Sequence, residues 1–100
     1  MRTGSSPGSV YFTVTNSAIV NVAGTGVAAA TGGVLEVDSS SVSNNNTAFA
    51  TSGGTIRISR NTIYDNNVNY SISGGTIATG GNNFVAVNGS QAPNGSITQQ

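Results

Sequence analysis

Gly32-Gly33-Val34-Leu35-Glu36-Val37-Asp38, Gly53-Gly54-Thr55-Ile56-Arg57-Ile58-Ser59 and Gly74-Gly75-Thr76-Ile77-Ala78-Thr79 are one phrase written three times, 21 residues apart. Each opens on a Gly-Gly pair, and the same place after it holds Leu35, Ile56 or Ile77. Seven positions on, another apolar residue follows: Val42, Ile63 and Phe84. A fixed period in this range marks a chain built by repetition, in which each unit buries its apolar face only against its neighbours. Inside the phrase apolar and polar residues alternate, the period of a strand with one buried face.

Upstream, Phe12, Val14 and Ile19 match Leu35, Val37 and Val42 at an offset of 23. The two additional residues are expected in Ala23-Gly24-Thr25-Gly26, a Gly-rich loop where an insertion costs little. Third short segments run over residues 27–30, 49–51 and 70–72, so each coil offers three short strands and three turns. The turns repeat with the coil and not in alternation, so hairpins cannot close a core. Equivalent strands stacked ~4.8 Å apart and hydrogen-bonded in parallel can. The expected fold is all-β: a parallel β-helix, or solenoid, of about four coils with a 21–23-residue repeat.

That register predicts three inward rows: Phe12/Leu35/Ile56/Ile77, Val14/Val37/Ile58 and Ile19/Val42/Ile63/Phe84. Small residues in the third segments are expected to keep the interior narrow. Two turn rows follow: Ser40/Asn61/Asn82, with Ser17 beneath, and Asn46/Asn67/Asn88. Asn tolerates left-handed backbone and bonds its own main chain, and stacked Asn side chains can bond along the stack. Residues 1–9 read as an irregular Gly/Ser/Pro lead and residues 10–89 as the coils. Residues 90–100 read as a polar tail able to fold across the last coil with Ile97 as a plug.

Composition narrows the function. Only 6% of residues are charged: Arg2, Arg57 and Arg60 against Glu36, Asp38 and Asp65, for a net charge of zero. Ordinary domains carry roughly a quarter. Three scattered Arg argue against nucleic acid and anionic membrane as partners. The chain has no Cys and no His, which excludes disulfides, thiol nucleophiles and Ser-His-Asp or Cys-His machinery. No segment approaches the roughly 18 apolar residues of a membrane span. The first residues carry one positive charge but no apolar stretch, so they do not read as a signal peptide. The Gly-Gly pairs lack the Lys of a phosphate loop and read as structural punctuation. No cofactor is expected.

The strand-turn-strand unit Ile56-Arg57-Ile58-Ser59-Arg60-Asn61-Thr62-Ile63-Tyr64-Asp65-Asn66 resembles the repeats of right-handed parallel β-helix proteins, the pectate-lyase-like solenoids. The run Gly74-Gly75-Thr76-Ile77, Gly81-Asn82-Asn83, Asn88-Gly89, Pro93 and a final Gln resembles their C-terminal coils. The resemblance spans residues 10–100. It implies a right-handed spiral and an extracellular or cell-surface location. It also implies the end of a longer β-helix, or a minimal version of one. It is specific for fold and poor for function, because the fold hosts lyases, hydrolases, adhesins and fibres.

One charged cluster is the candidate active site. Glu36 and Asp38 lie two apart on one strand, so both face outward about 7 Å apart, within the range of an inverting carboxylate pair. Arg57 falls one rung on. Arg57 would also neutralise Glu36, and no third acid completes a multi-carboxylate cluster, so a solvated charged face is the stronger reading. Asp65 with Asn66 and Asn67 could offer oxygens to Ca²⁺, but one carboxylate is weak. Tyr11, Tyr64 and Val85 are expected outward, where an aromatic could stack on a sugar. Asn45, Asn69, Asn88 and Asn94 begin N-x-S/T triplets, expected by chance in so Asn/Ser/Thr-rich a chain. The leading expectation is a non-enzymatic structural or self-association module that stacks end to end or finishes a longer β-helix. The alternative is an extracellular carbohydrate-binding or polysaccharide-cleaving surface at Glu36, Asp38 and Arg57. A third is a fragment with no function of its own.

Overall fold

In the computed structural model, residues 10–86 and 93–96 are described. They contain no helix; the chain winds as a parallel β-solenoid of about four turns. The first sheet stacks β1 (Val10–Thr15), β4 (Gly33–Asp38), β7 (Thr55–Ser59), β10 (Thr76–Thr79) and β12 (Gly95–Ser96). The second stacks β2 (Ala18–Val20), β5 (Ser41–Ser43), β8 (Thr62–Tyr64) and β11 (Phe84–Val85). The third stacks β3 (Thr25–Ala30), β6 (Thr47–Ser52) and β9 (Val68–Ile72). Every strand pair in these sheets is parallel, and Leu35, Ile56 and Ile77 lie directly above one another.

Each described corner turns on residues in the left-handed region. At the first corner these are Asn16, Ser39, Arg60 and Gly81, and at the second Asn21, Asn44 and Asp65. At the third they are Gly32, Gly53 and the adjacent Gly74 and Gly75. A single left-handed residue reverses the pleat, so the next side chain also points inward. The last inward residue of a strand is therefore followed three places on by another: Val37 by Ser40, Ile58 by Asn61, Val42 by Asn45 and Ile63 by Asn66. At the third corner that place is glycine. A Cβ on Gly54 would overlap the Ala30 carbonyl oxygen, and one on Gly75 would overlap that of Gly54. Gly54 and Gly75 thus let successive coils close up, while Gly32, Gly53 and Gly74 supply the bend.

Leu35, Val37, Val42, Ile56, Ile58, Ile63 and Ile77 are fully enclosed, as the alternation requires. Phe12 stands in register with Leu35 but is 44% exposed, whereas Val14 on the same strand is buried. Phe84 departs from its expected row. The first corner of the last coil holds one residue more, so Phe84 pairs with Thr62 and Val85 with Ile63. A one-residue slip in a strand flips every side chain to the other face, and Phe84 is accordingly 78% exposed.

The third segments are broader than expected. Val27, Phe49 and Tyr70 stack in register and are buried, with the Phe49 and Tyr70 ring centroids 6.0 Å apart and nearly parallel. Burial raises the Tyr70 hydroxyl's pKa. The two additional residues of the first coil also separate. One lies between Val20 and Thr25, as expected, and the other at Thr31-Gly32, since β3 meets β6 at an offset of 22 and β4 meets β7 at 21.

Candidate functional site

The outward face of the first sheet carries the charge. Stacking puts Glu36 beside Arg57 and Asp38 beside Ser59. Arg57 Nη1 lies 3.3 Å from Glu36 Oε2, the pair expected from register alone. Arg60, at the left-handed corner, reaches back so that its Nη2 lies 2.6 Å from Asp38 Oδ2. Ser39 Oγ and Ser59 Oγ donate to Asp38 Oδ1 at 3.2 and 3.3 Å. Desolvation pushes the Asp38 pKa up, but the bonds from Arg60, Ser39 and Ser59 and the Arg60 charge outweigh it and hold the carboxyl below its usual 3.8. A carboxyl in that condition is a poor proton donor near neutrality. Both acids of the candidate pair therefore hold a guanidinium. Arg60 was missed in the sequence because its reach depends on the corner, not on strand register.

Asp65 lies apart, on the second corner, in a depression of about 410 Å³ shared with Asn21, Asn44, Asn46 and Asn67. No group of three or more His, Cys, Asp or Glu side chains able to hold a metal occurs among the described residues. The outward face of the third sheet is a shallow groove of about 500 Å³ lined by small residues, among them Ala28, Ala50, Ser52 and Ser71, with no charge. Tyr64 is 40% exposed on β8, as expected; Val85, expected outward, instead stands in register with the inward Ile63 and is 36% exposed. The Tyr11 side chain lies outside the described residues.

The densest chemistry is buried, and it is made of amides. Asn61 Oδ1 accepts from the Ser40 N–H of the coil before, at 3.0 Å, while Asn61 Nδ2 donates to Val37 O at 2.8 Å. Asn45 does the same to Val22 N and Ile19 O, and Asn66 to Asn45 N and Val42 O. Asn83 repeats it with Asn61 N and, at 3.4 Å, Ile58 O. Each side chain thus acts as a spare peptide group, clamping the N–H and the C=O that the preceding coil leaves at its corner. Without the clamp those buried groups would be unpaired, at ~1–3 kcal/mol each.

This corrects the first turn row and adds a buried row beside the second. Ser40 and Asn61 are in the first clamp row, but its next member is Asn83; the added residue displaces Asn82 outward, where its Oδ1 accepts from Arg60 N. Asn46 and Asn67 form a ladder, Nδ2 to Oδ1 at 3.1 Å, but on the exposed side. Asn88 lies outside the described residues. The buried row beside them is Asn45 and Asn66, with Asn69 accepting from Asn66 Nδ2 and donating to Ala86 O. The signal that finds Asn45, Asn61 and Asn66 is position, three residues after the inward Val42, Ile58 and Ile63; the added residue puts Asn83 one place beyond that spacing.

The tail bears the same device. Asn94 Oδ1 accepts from Ile77 N at 2.8 Å, and Asn94 Nδ2 donates to Gly75 O at 3.1 Å. Asn94 N donates to Ile77 O at 3.0 Å, and Gly95 and Ser96 then pair with Ala78 and Thr79. The described part of the tail, Asn94 and β12, thus lies on the edge of β10 in the first sheet; Ile97, expected as a plug, lies outside the described residues. No helix among the described residues is long and apolar enough to cross a membrane. No protein-family model, curated protein or solved structure matches the chain, so the likeness to pectate-lyase-like solenoids rests on the repeat pattern alone.

Proposed function

We propose that the chain is a non-enzymatic structural module that works by end-to-end stacking on further β-solenoid coils, those of its own copies included. The observation that carries this is the regularity of the rungs. Three parallel ladders hold one triangular plan from coil to coil, and no described strand lies on the outer edges of β1, β2 and β3. Such an edge presents a row of N–H and C=O groups to any strand of matching plan. Repulsion opposing the contact is small, with six charged residues and a net charge of zero. A head-to-tail contact of this kind is heterologous and does not close, so it builds a filament unless something ends it.

The pairing of Glu36 with Arg57 and of Asp38 with Arg60 supports this reading over a polysaccharide-cleaving one, because each carboxylate is engaged by a guanidinium of the same chain and Asp38 is held ionised. Light scattering across a hundredfold range of protein concentration, with electron microscopy, tests the proposal. The expected result is a mass that rises with concentration. A sharp monomer throughout, with no fibres, removes stacking.

A further inference from the structure

We infer that residues 94–96 are a built-in stop for that stacking, seated on the back edge of β10 where the β1 of a second copy would otherwise add. The inference rests on the stacking reading above and names its regulation. β12 is a parallel strand on β10, so it occupies the edge in the sense that an incoming coil would use. Asn94 secures it with the clamp found at the corners within the stack, one amide holding both Ile77 N and Gly75 O. The tail arrives early. Gly95 meets Ala78 17 residues on, against 21 between Ile56 and Ile77, so the last turn is shorter than those below it.

The stop is built to be weaker than a coil. β12 covers two positions of β10, whereas β7 covers four on the other side. Its Gly95 brings no side chain to the outward face and seats close to Thr76; a Cβ there would stand 2.8 Å from Thr76 Cγ2. A second copy's six-residue β1 can match every position of β10, so it competes with the tail once its local concentration is high. The partner is a second copy of this chain, and the tail sets the concentration at which it joins.

The test compares the full chain with Asn94→Ala and with Asn94→Ala/Gly95→Val, which also crowds Thr76. Light scattering reads the concentration at which assemblies form, and amide hydrogen exchange reads the Ile77 N–H. In Asn94→Ala the Ile77 amide is expected to exchange at least about tenfold faster, and assemblies to form at a concentration about tenfold lower, ~1.4 kcal/mol. A peptide of residues 91–100 added in trans should restore the original threshold. An unchanged Ile77 amide in both variants overturns the stop whatever the assembly state. A faster amide with the same threshold as the parent overturns the stop and leaves stacking standing. A faster amide with no assembly of any variant overturns stacking, and the stop falls with it.

Discussion

Asn66 and Asn67 are adjacent, yet they belong to different chemistries. Asn66 is buried with its amide holding Asn45 N, Asn45 Nδ2, Val42 O and Asn69 Oδ1. Asn67 is exposed and bonds Asn46. Asn66→Ala should therefore cost about 2–4 kcal/mol by leaving backbone groups unpaired inside, and Asn67→Ala less than about 1 kcal/mol. Denaturant unfolding of the two variants checks the contrast; equal losses would show that the clamps carry no special weight. Asp38 makes a pH prediction. Its carboxyl is depressed in the folded chain, so its contribution is complete above the unfolded value of 3.8 and fades as pH falls through that value toward the folded one. Unfolding midpoints should thus drop below about pH 4–5, with a smaller drop in Arg60→Ala. One side chain goes against the pattern: Thr51 Oγ1 is buried with no hydrogen-bond partner among the described residues, and we have no physical account of it.

At the scale of the element, the corners decide more than the strands. Gly75 has φ +87° and its missing Cβ would overlap the coil beneath, whereas a Cβ on Gly24 meets nothing within 4 Å. Gly75→Ala should cost on the order of 3 kcal/mol from strain and overlap together, and Gly24→Ala under about 1 kcal/mol. Thermal unfolding of both separates a packing glycine from a loop glycine. The added residue at the first corner of the last coil is a second test. Removing Asn82 restores the 21-residue step, so Phe84 should swing inward over Ile63 and Val85 outward. Contacts between the Phe84 ring and Ile63 methyls, read by nuclear Overhauser effects, decide it; a Phe84 ring still in solvent would show that something other than register holds it there.

For the whole molecule, the question is what stops a stack of like rungs. The back of the first sheet is occupied by the chain's own tail, and the front of all three sheets carries no described strand. On the stacking we propose, the concentration at which copies join should shift less than about threefold between 0.1 and 1 M salt, because with so little charge there is little for the salt to screen. Light scattering at the two ionic strengths measures it. A shift of a hundredfold would mean that the ion pairs Glu36–Arg57 and Asp38–Arg60, not the strand edges, govern association.

The coil plan was legible in the residues themselves. A 21-residue period with β-branched residues in register admits one solution, equivalent strands laid parallel, and it also placed Arg57 beside Glu36. What the residues could not reveal by period was settled in three dimensions, at the corners. The left-handed residues Asn44 and Asp65 turn the next side chain inward, so Asn45 and Asn66 are interior clamps while Asn46 and Asn67 face out, and in the last coil the added residue moves the clamp from Asn82 to Asn83. Adjacent asparagines look alike in sequence. Which of them is buried depends on backbone sign at one residue, and a single added residue before Phe84 was enough to exchange inside for outside.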